Sequence, residues 1–274
     1  MIPVDDTALW TIDSGGSGTP VVYLNGSYAD LGHWDPVVAD LGDDGWRHVR
    51  YDERARGRRS LTSSDYSFEA TVRDLDAVLT ARGIDKPILV GWSYGVIVAM
   101  HWADRHPDRV AGVVSVDGAL PVADELYNAE LGERARKLFH RLRWMFPVLR
   151  RLGMAARMTA EQHAEVNLDV LQYQTRSALE PVLDRVECPV RYVLGEGGHR
   201  GTNDAEMAEV RAGIEPVLAR RPSFAVTARV RANHEKIIKI GHAQIARAVQ
   251  EVAAAVGERG TDVGRAEQKD SSSR

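Results

Sequence analysis

Short apolar runs alternate with amphipathic stretches along most of the chain. The apolar runs fall at 8–12, 21–25, 48–52, 88–91, 112–117, 190–195 and 224–230. Several, such as "PILVG" and "GVVSVD", are continuous rather than alternating, which suits strands buried on both faces of a parallel sheet. Between them, "SFEATVRDLDAVLTAR" at 67–82 sets Phe68, Val72, Leu75, Val78 and Leu79 on one helical stripe. Ser67 suits the N-cap of that helix and Gly83 the residue just past its end. Segments 203–219 and 240–256 carry a similar period. This alternation predicts a doubly wound α/β fold with a mostly parallel sheet. "DSGGSGTP", between the first two runs, reads as a hairpin loop, so the sheet is expected to start with an antiparallel edge.

One segment breaks the rhythm. Residues 121–187 carry helix formers, many charges and scattered large apolar residues such as Tyr127, Phe139, Trp144, Phe146 and Tyr173, with no strand pattern. Insertions after strand ends build pockets in α/β folds, so a helical lid over 121–187 is expected on a core made of 1–120 and 188–257. The polar, aperiodic tail at 258–274 is expected to be disordered.

Composition narrows the function classes. With 274 residues, 44% apolar and 27% charged, the chain is an ordinary globular sequence, long enough to bury a sizeable core. A net charge of -4 supplies no field favouring nucleic acid or an anionic membrane, and neither is expected as a partner. No run of about 18 apolar residues predicts a membrane span. Cys188 is the single cysteine, so no intrachain disulfide forms. "MIPVDDTALW" lacks the basic start and apolar core of a signal peptide, and the expected location is cytoplasmic. The nine histidines show no paired metal spacing, and no metal or cofactor is expected. "ERARGRRS" at 53–60 reads as a solvated loop whose Arg54 braces the sheet edge, rather than an anion-binding footprint. "GGSG" at 15–18 lacks the Lys-Ser/Thr of a phosphate loop.

The chemistry centres on "ILVGWSYGVIVAM". Gly91-Trp92-Ser93-Tyr94-Gly95 matches G-x-S-x-G, with a strand predicted before it and an apolar helix after. So sharp a turn strains the serine backbone and leaves no room for side chains two before and two after. The hydroxyl is then held above the sheet at a helix N-terminus.

On these residues the chain resembles the α/β-hydrolases over nearly its whole length. "VVYLNGSYADLGHW" is similar to the family's segment after its third strand, with Asn25-Gly26 where His-Gly is usual. "YDERARGRRS" is similar to the family's Asp-x-Arg-Gly-x-Gly segment, with Ala55 replacing a glycine, and "RANHEKIIKIGHAQIARAVQEV" to its histidine loop and last helix. The resemblance implies a nucleophile–acid–histidine order, with Ser93 as nucleophile and His234 as base. His199 is the rival base, and His242 reads as a surface or capping residue. The family's commonest acid position falls on Gly198. The other family position, at the end of the preceding strand, falls on Asp117, which is favoured over Glu196 and Asp204. A serine hydroxyl needs such a base, and the base needs a carboxylate to orient it. The backbone N–H groups of Tyr94 and Ser27 are implied as the oxyanion hole. Tyr28, Trp92 and Trp144 are candidates for the substrate pocket. The expected reaction is hydrolysis of a carboxylic ester or lactone of a small, moderately hydrophobic molecule through an acyl-enzyme. Carbon–carbon bond hydrolysis, ring-forming acyl transfer and a non-hydrolytic cyclase or binding protein stay open, because a fold does not fix a reaction.

Overall fold

The computed structural model describes residues 1–27, 29–151, 156–199 and 202–271. Among the described residues nine strands form: β1 (Ile2–Val4), β2 (Thr7–Leu9), β3 (Thr11–Asp13), β4 (Thr19–Leu24), β5 (Trp46–Tyr51), β6 (Ile88–Trp92), β7 (Gly112–Val116), β8 (Val190–Gly195) and β9 (Phe224–Val230). β1 and β2 pair as a separate antiparallel hairpin, and the other seven build the central sheet in the order β3-β5-β4-β6-β7-β8-β9. Only β3, at the edge, runs antiparallel to its neighbour.

The sheet separates two apolar layers. One holds α2 (Phe68–Ala81) and α3 (Tyr94–Arg105) through Leu75, Val78 and Trp102. The other, built on Val37 of α1 (Asp35–Leu41) and Ile245, Val249 and Val252 of the last helix, covers the opposite face. Leu89 joins the first layer and its neighbours Ile88 and Val90 the second. A strand covered on both faces has no polar side to show, which is why these runs are continuous. Ser67 caps α2 by accepting the Ala70 N–H at 3.2 Å, and Gly83 follows its end at φ 58°.

Between β7 and β8 lie α4 (Ala129–Leu142), α5 (Phe146–Arg151), α6 (Ala160–Gln174) and α7 (Arg176–Arg185). Leu179, Val182 and Leu183 of α7 belong to the first core layer, so this helix packs on the sheet although it falls within 121–187. After β8 come α8 (Asp204–Ala212) and α9 (Glu215–Arg220). After β9 come α10 (Ile237–Ile240) and α11 (His242–Ser271).

Several expectations change. The 8–12 run is divided between β2 and β3, and the 240–256 helix is broken at Gly241. "DSGGSGTP" is not a hairpin: β3 and β4 both pair with β5, which lies between them. The 203–219 helix is two helices, broken where Gly213 presses against Pro121. A Cβ there would stand 2.3 Å from the Pro121 carbonyl oxygen, and Pro216 lies in the first turn of the next helix. The backbone of α11 continues past Gly257 to Ser271 where disorder was expected.

Candidate active site

β6 ends at Trp92 and α3 begins at Tyr94, leaving Ser93 alone in the bend at φ 54°, ψ -117°. The glycines on either side are sterically required. A Cβ on Gly91 would stand 2.6 Å from the Val96 nitrogen, and one on Gly95 2.5 Å from the Leu24 oxygen. The Ser93 N–H donates to the Val116 carbonyl at 3.0 Å, tying the bend to the end of β7. Asp117 follows directly and is itself at φ 47°.

His234 arrives on the loop after β9. Its N–H donates to the Gly198 carbonyl at 3.0 Å, and its ring lies 5.6 Å from that of Trp92. Nδ1 meets Asp117 Oδ2 at 2.9 Å. Asp117 also accepts the Gly195 N–H at 3.0 Å and two bonds from the guanidinium of Arg211. Burial opposes ionisation of this carboxyl. The hydrogen bonds from Arg211 and then His234, with their charges, more than reverse that and hold Asp117 far below the usual carboxylate range.

The rival residues stand elsewhere. Glu196 is exposed, 3.9 Å from Arg231. Asp204 accepts the Gly198 N–H at 2.6 Å. His199 pairs with Glu235 at 2.8 Å, yet its ring packs edge-on against His234 with centroids 4.7 Å apart. His242 bonds Asp40 on the surface.

The loop after β4 is pinned from below. Asn25 donates its backbone N–H to Glu53 Oε1 at 3.0 Å and its amide nitrogen to Tyr51 O at 2.7 Å and Glu53 Oε2 at 3.1 Å. Its amide oxygen accepts from Trp34 Nε1 at 2.9 Å. Gly26 leaves room for the Trp92 ring, 2.9 Å from where a Cβ would be. The Ser27 carbonyl accepts from Arg56 Nε at 3.0 Å, and that guanidinium lies 5.6 Å from the Tyr94 ring. Tyr94 turns its hydroxyl inward to Thr71 and leaves its backbone N–H at the start of α3, where helix donors lack intrahelical partners. Burial pushes Glu53 up to about 7 and Asp52 up to about 6.

Two further expectations shift. Arg56 is buried rather than solvated, and Arg54, expected as a brace, is buried too and grips Asp74 of α2 with Nη2 at 2.6 Å, while Arg58 and Arg59 face solvent. Trp144 is 72% exposed, so its ring faces solvent rather than a pocket. Tyr28 lies outside the described residues. Arg211 and the role of Glu53 escaped the sequence reading. Arg211 did leave a trace, since it falls with Met207, Val210 and Ile214 on the i, i+3, i+4, i+7 positions where an apolar residue belongs.

A family model described as the alpha/beta hydrolase fold matches residues 19–175, more than half of the chain. The chain belongs to that family. Over 143 residues this hydrolase-fold chain is 29% identical to a haloalkane dehalogenase of Mesorhizobium japonicum, covering 52% of this chain and 46% of that protein. It spans less than half the length of the first curated relatives it matches. A thermophilic esterase from Thermogutta terrifontis superposes with a TM-score of 0.68 at 22% identity, covering 91% of this chain and 94% of that one. The enol-lactonase from Burkholderia xenovorans LB400 gives 0.64 at 22%, covering 92% and 98%. These likenesses speak for the hydrolase fold. No described helix of this family member is long and apolar enough to cross a membrane.

Proposed function

We propose that the chain is a serine hydrolase that cleaves a carboxylic ester or lactone of a small molecule. The observation that carries this reading is the strained Ser93 bend beside a His234–Asp117 pair bonded at 2.9 Å. In the proposed cycle Ser93 Oγ attacks the acyl carbon while His234 Nε2 takes its proton. His234 Nδ1 stays bonded to Asp117, which steadies the imidazolium. The Tyr94 and Ser27 N–H groups receive the developing oxyanion, and losing one such donor costs about 3 kcal/mol of transition-state stabilisation. The protonated imidazole then passes its proton to the leaving alkoxide, which departs as the alcohol. Water attacks the acyl-serine with His234 again as base, releasing the acid and restoring Ser93. The helices of 121–175 serve as the lid that shapes the substrate space, and the elbow's Trp92 ring forms part of its floor. Serine at the elbow speaks against the chemistry of dehalogenase-like relatives, which resemblance assigns to an aspartate there.

A fluorophosphonate probe and a panel of aryl esters test the reading. Expected are covalent labelling at Ser93 and ester turnover, with Ser93→Ala abolishing the label and lowering kcat by at least about 10³-fold. Absence of labelling together with turnover indifferent to Ser93→Ala overturns it.

A further inference from the structure

Asp117 is held by more donors than orienting a histidine requires. Oδ1 accepts from Gly195 N–H at 3.0 Å and Arg211 Nε at 2.7 Å, and Oδ2 accepts from Arg211 Nη2 at 2.8 Å and His234 Nδ1 at 2.9 Å. Four bonds fill the about four acceptor sites of a carboxylate. The remaining guanidinium nitrogen, Nη1, donates to the Gly197 carbonyl at 2.8 Å. Both side chains are buried, Arg211 at 2% and Asp117 at 0% exposure. The surrounding chain leaves space for the fork: a Cβ on Gly195 would stand 2.8 Å from Arg211 Nη2.

We infer that Arg211 is a positioning residue for the His234–Asp117 pair, fixing the plane of the carboxylate and offsetting its charge. This rests on the serine-hydrolase reading above. A carboxylate beside a histidine favours the imidazolium, and a cation beside both disfavours it. With a planar bidentate fork, the carboxylate has a single orientation, and that orientation aims Oδ2 at Nδ1. Other titratable or charged groups near His234 are His199, ring to ring at 4.7 Å, and Glu235, which pairs with His199. Beyond them are Lys236 on the same loop and the Arg231–Glu196 pair at 3.9 Å.

The test compares the parent with Arg211→Gln, Arg211→Met and Arg211→Lys in the full chain. Two readouts are taken: the pH dependence of fluorophosphonate labelling at Ser93, and the imidazole NMR titration of His234, which needs no turnover. Either neutral variant is expected to raise the His234 midpoint and the acid limb of labelling by about one pH unit or more. Arg211→Lys keeps the charge but not the fork. Its acid limb is expected within about 0.3 of the parent, with labelling slowed about tenfold or more because the carboxylate is no longer fixed. A midpoint unmoved in a folded neutral variant overturns the inference. So does an Arg211→Lys protein that labels at the parental rate, which decides the matter if neither neutral variant folds. A parent whose Ser93 never labels overturns the hydrolase reading instead, and the His234 titrations then still report on Arg211.

Discussion

Ser93 occupies a backbone region that side chains avoid, at φ 54° and ψ -117°, and it is kept there by bonds and contacts on both sides. Such a conformation costs about 1–3 kcal/mol unless the residue is glycine. This has a consequence that separates strain from chemistry. Ser93→Ala keeps the strain and loses the hydroxyl, whereas Ser93→Gly loses both. Glycine normally costs about 0.5–1 kcal/mol through the freedom of the unfolded chain. Relief of strain outweighs that, so Ser93→Gly is expected to melt above Ser93→Ala, with both inactive. The reverse order in a thermal unfolding series would mean that the bend is unstrained. Ala55 shows the same tolerance at a second place. It stands where the resemblance expects glycine, yet it adopts φ 62°, and two residues on Gly57 repeats the turn at φ 59°. Ala55 is fully buried in an apolar cluster with Tyr66, Met158 and Val166, and its backbone is held by its N–H to the Leu61 carbonyl at 2.8 Å and by the Arg157 N–H to its own carbonyl at 2.9 Å.

Among the elements, the loop after β4 is steered by a carboxylate that the sequence did not single out. Glu53 is buried under Asn25 and accepts both of its N–H donors facing that side. Burial raises its folded pKa to about 7 from the usual 4.5. A carboxyl raised on folding contributes stability that is complete below its unfolded value and lost as pH climbs through the folded one. The span of about 2.5 units corresponds to about 3 kcal/mol between pH 4.5 and 7. Glu53→Gln removes that dependence, although its amide cannot accept both bonds from Asn25, so the variant starts less stable. The Tm gap between parent and variant is therefore expected to shrink as pH rises from 5 to 8. A gap that stays constant would show that Glu53 is ionised throughout. Element identity is largely readable because helices carry a 3.6-residue period and the buried strands stand out as short continuous apolar runs. Strand order was not: nothing in "DSGGSGTP" tells that β5 slips between β3 and β4. The Ser93 bend was readable for the opposite reason, since its constraint is local to Gly91 and Gly95. Asp117 and His234 are 117 positions apart and were brought together on paper only through family order. Arg211 shows only as a charge on an apolar stripe, and its partner is not legible there, because what draws it inward is a carboxylate 94 residues away.

At the scale of the whole molecule the sheet acts as a partition. Ser93 and Asp117 lie just past the carboxyl ends of adjacent parallel strands, β6 and β7, and His234 reaches the same edge from beyond β9. Open α/β sheets gather their chemistry at that edge because strand ends there lead into loops while the strands themselves stay fixed by packing on both faces. Two separate apolar layers supply that packing. Val78 of α2 is buried in one, and Val249 of α11 in the other, with the sheet between them. Truncating either valine to alanine removes two buried methyl groups and leaves a small cavity, for a loss of about 2 kcal/mol each. Residues farther than about 7–10 Å apart, with no shared neighbours, lose stability additively within about 0.5 kcal/mol. Val78→Ala and Val249→Ala are therefore expected to sum in the double variant when measured by urea unfolding, with labelling at Ser93 unchanged below the transition. A coupling above about 1 kcal/mol would mean that strain crosses the sheet. Labelling that falls in step with stability would mean that the site edge depends on both layers at once, and the rigid strand ends assumed for the Ser93–His234–Asp117 arrangement would have to be given up.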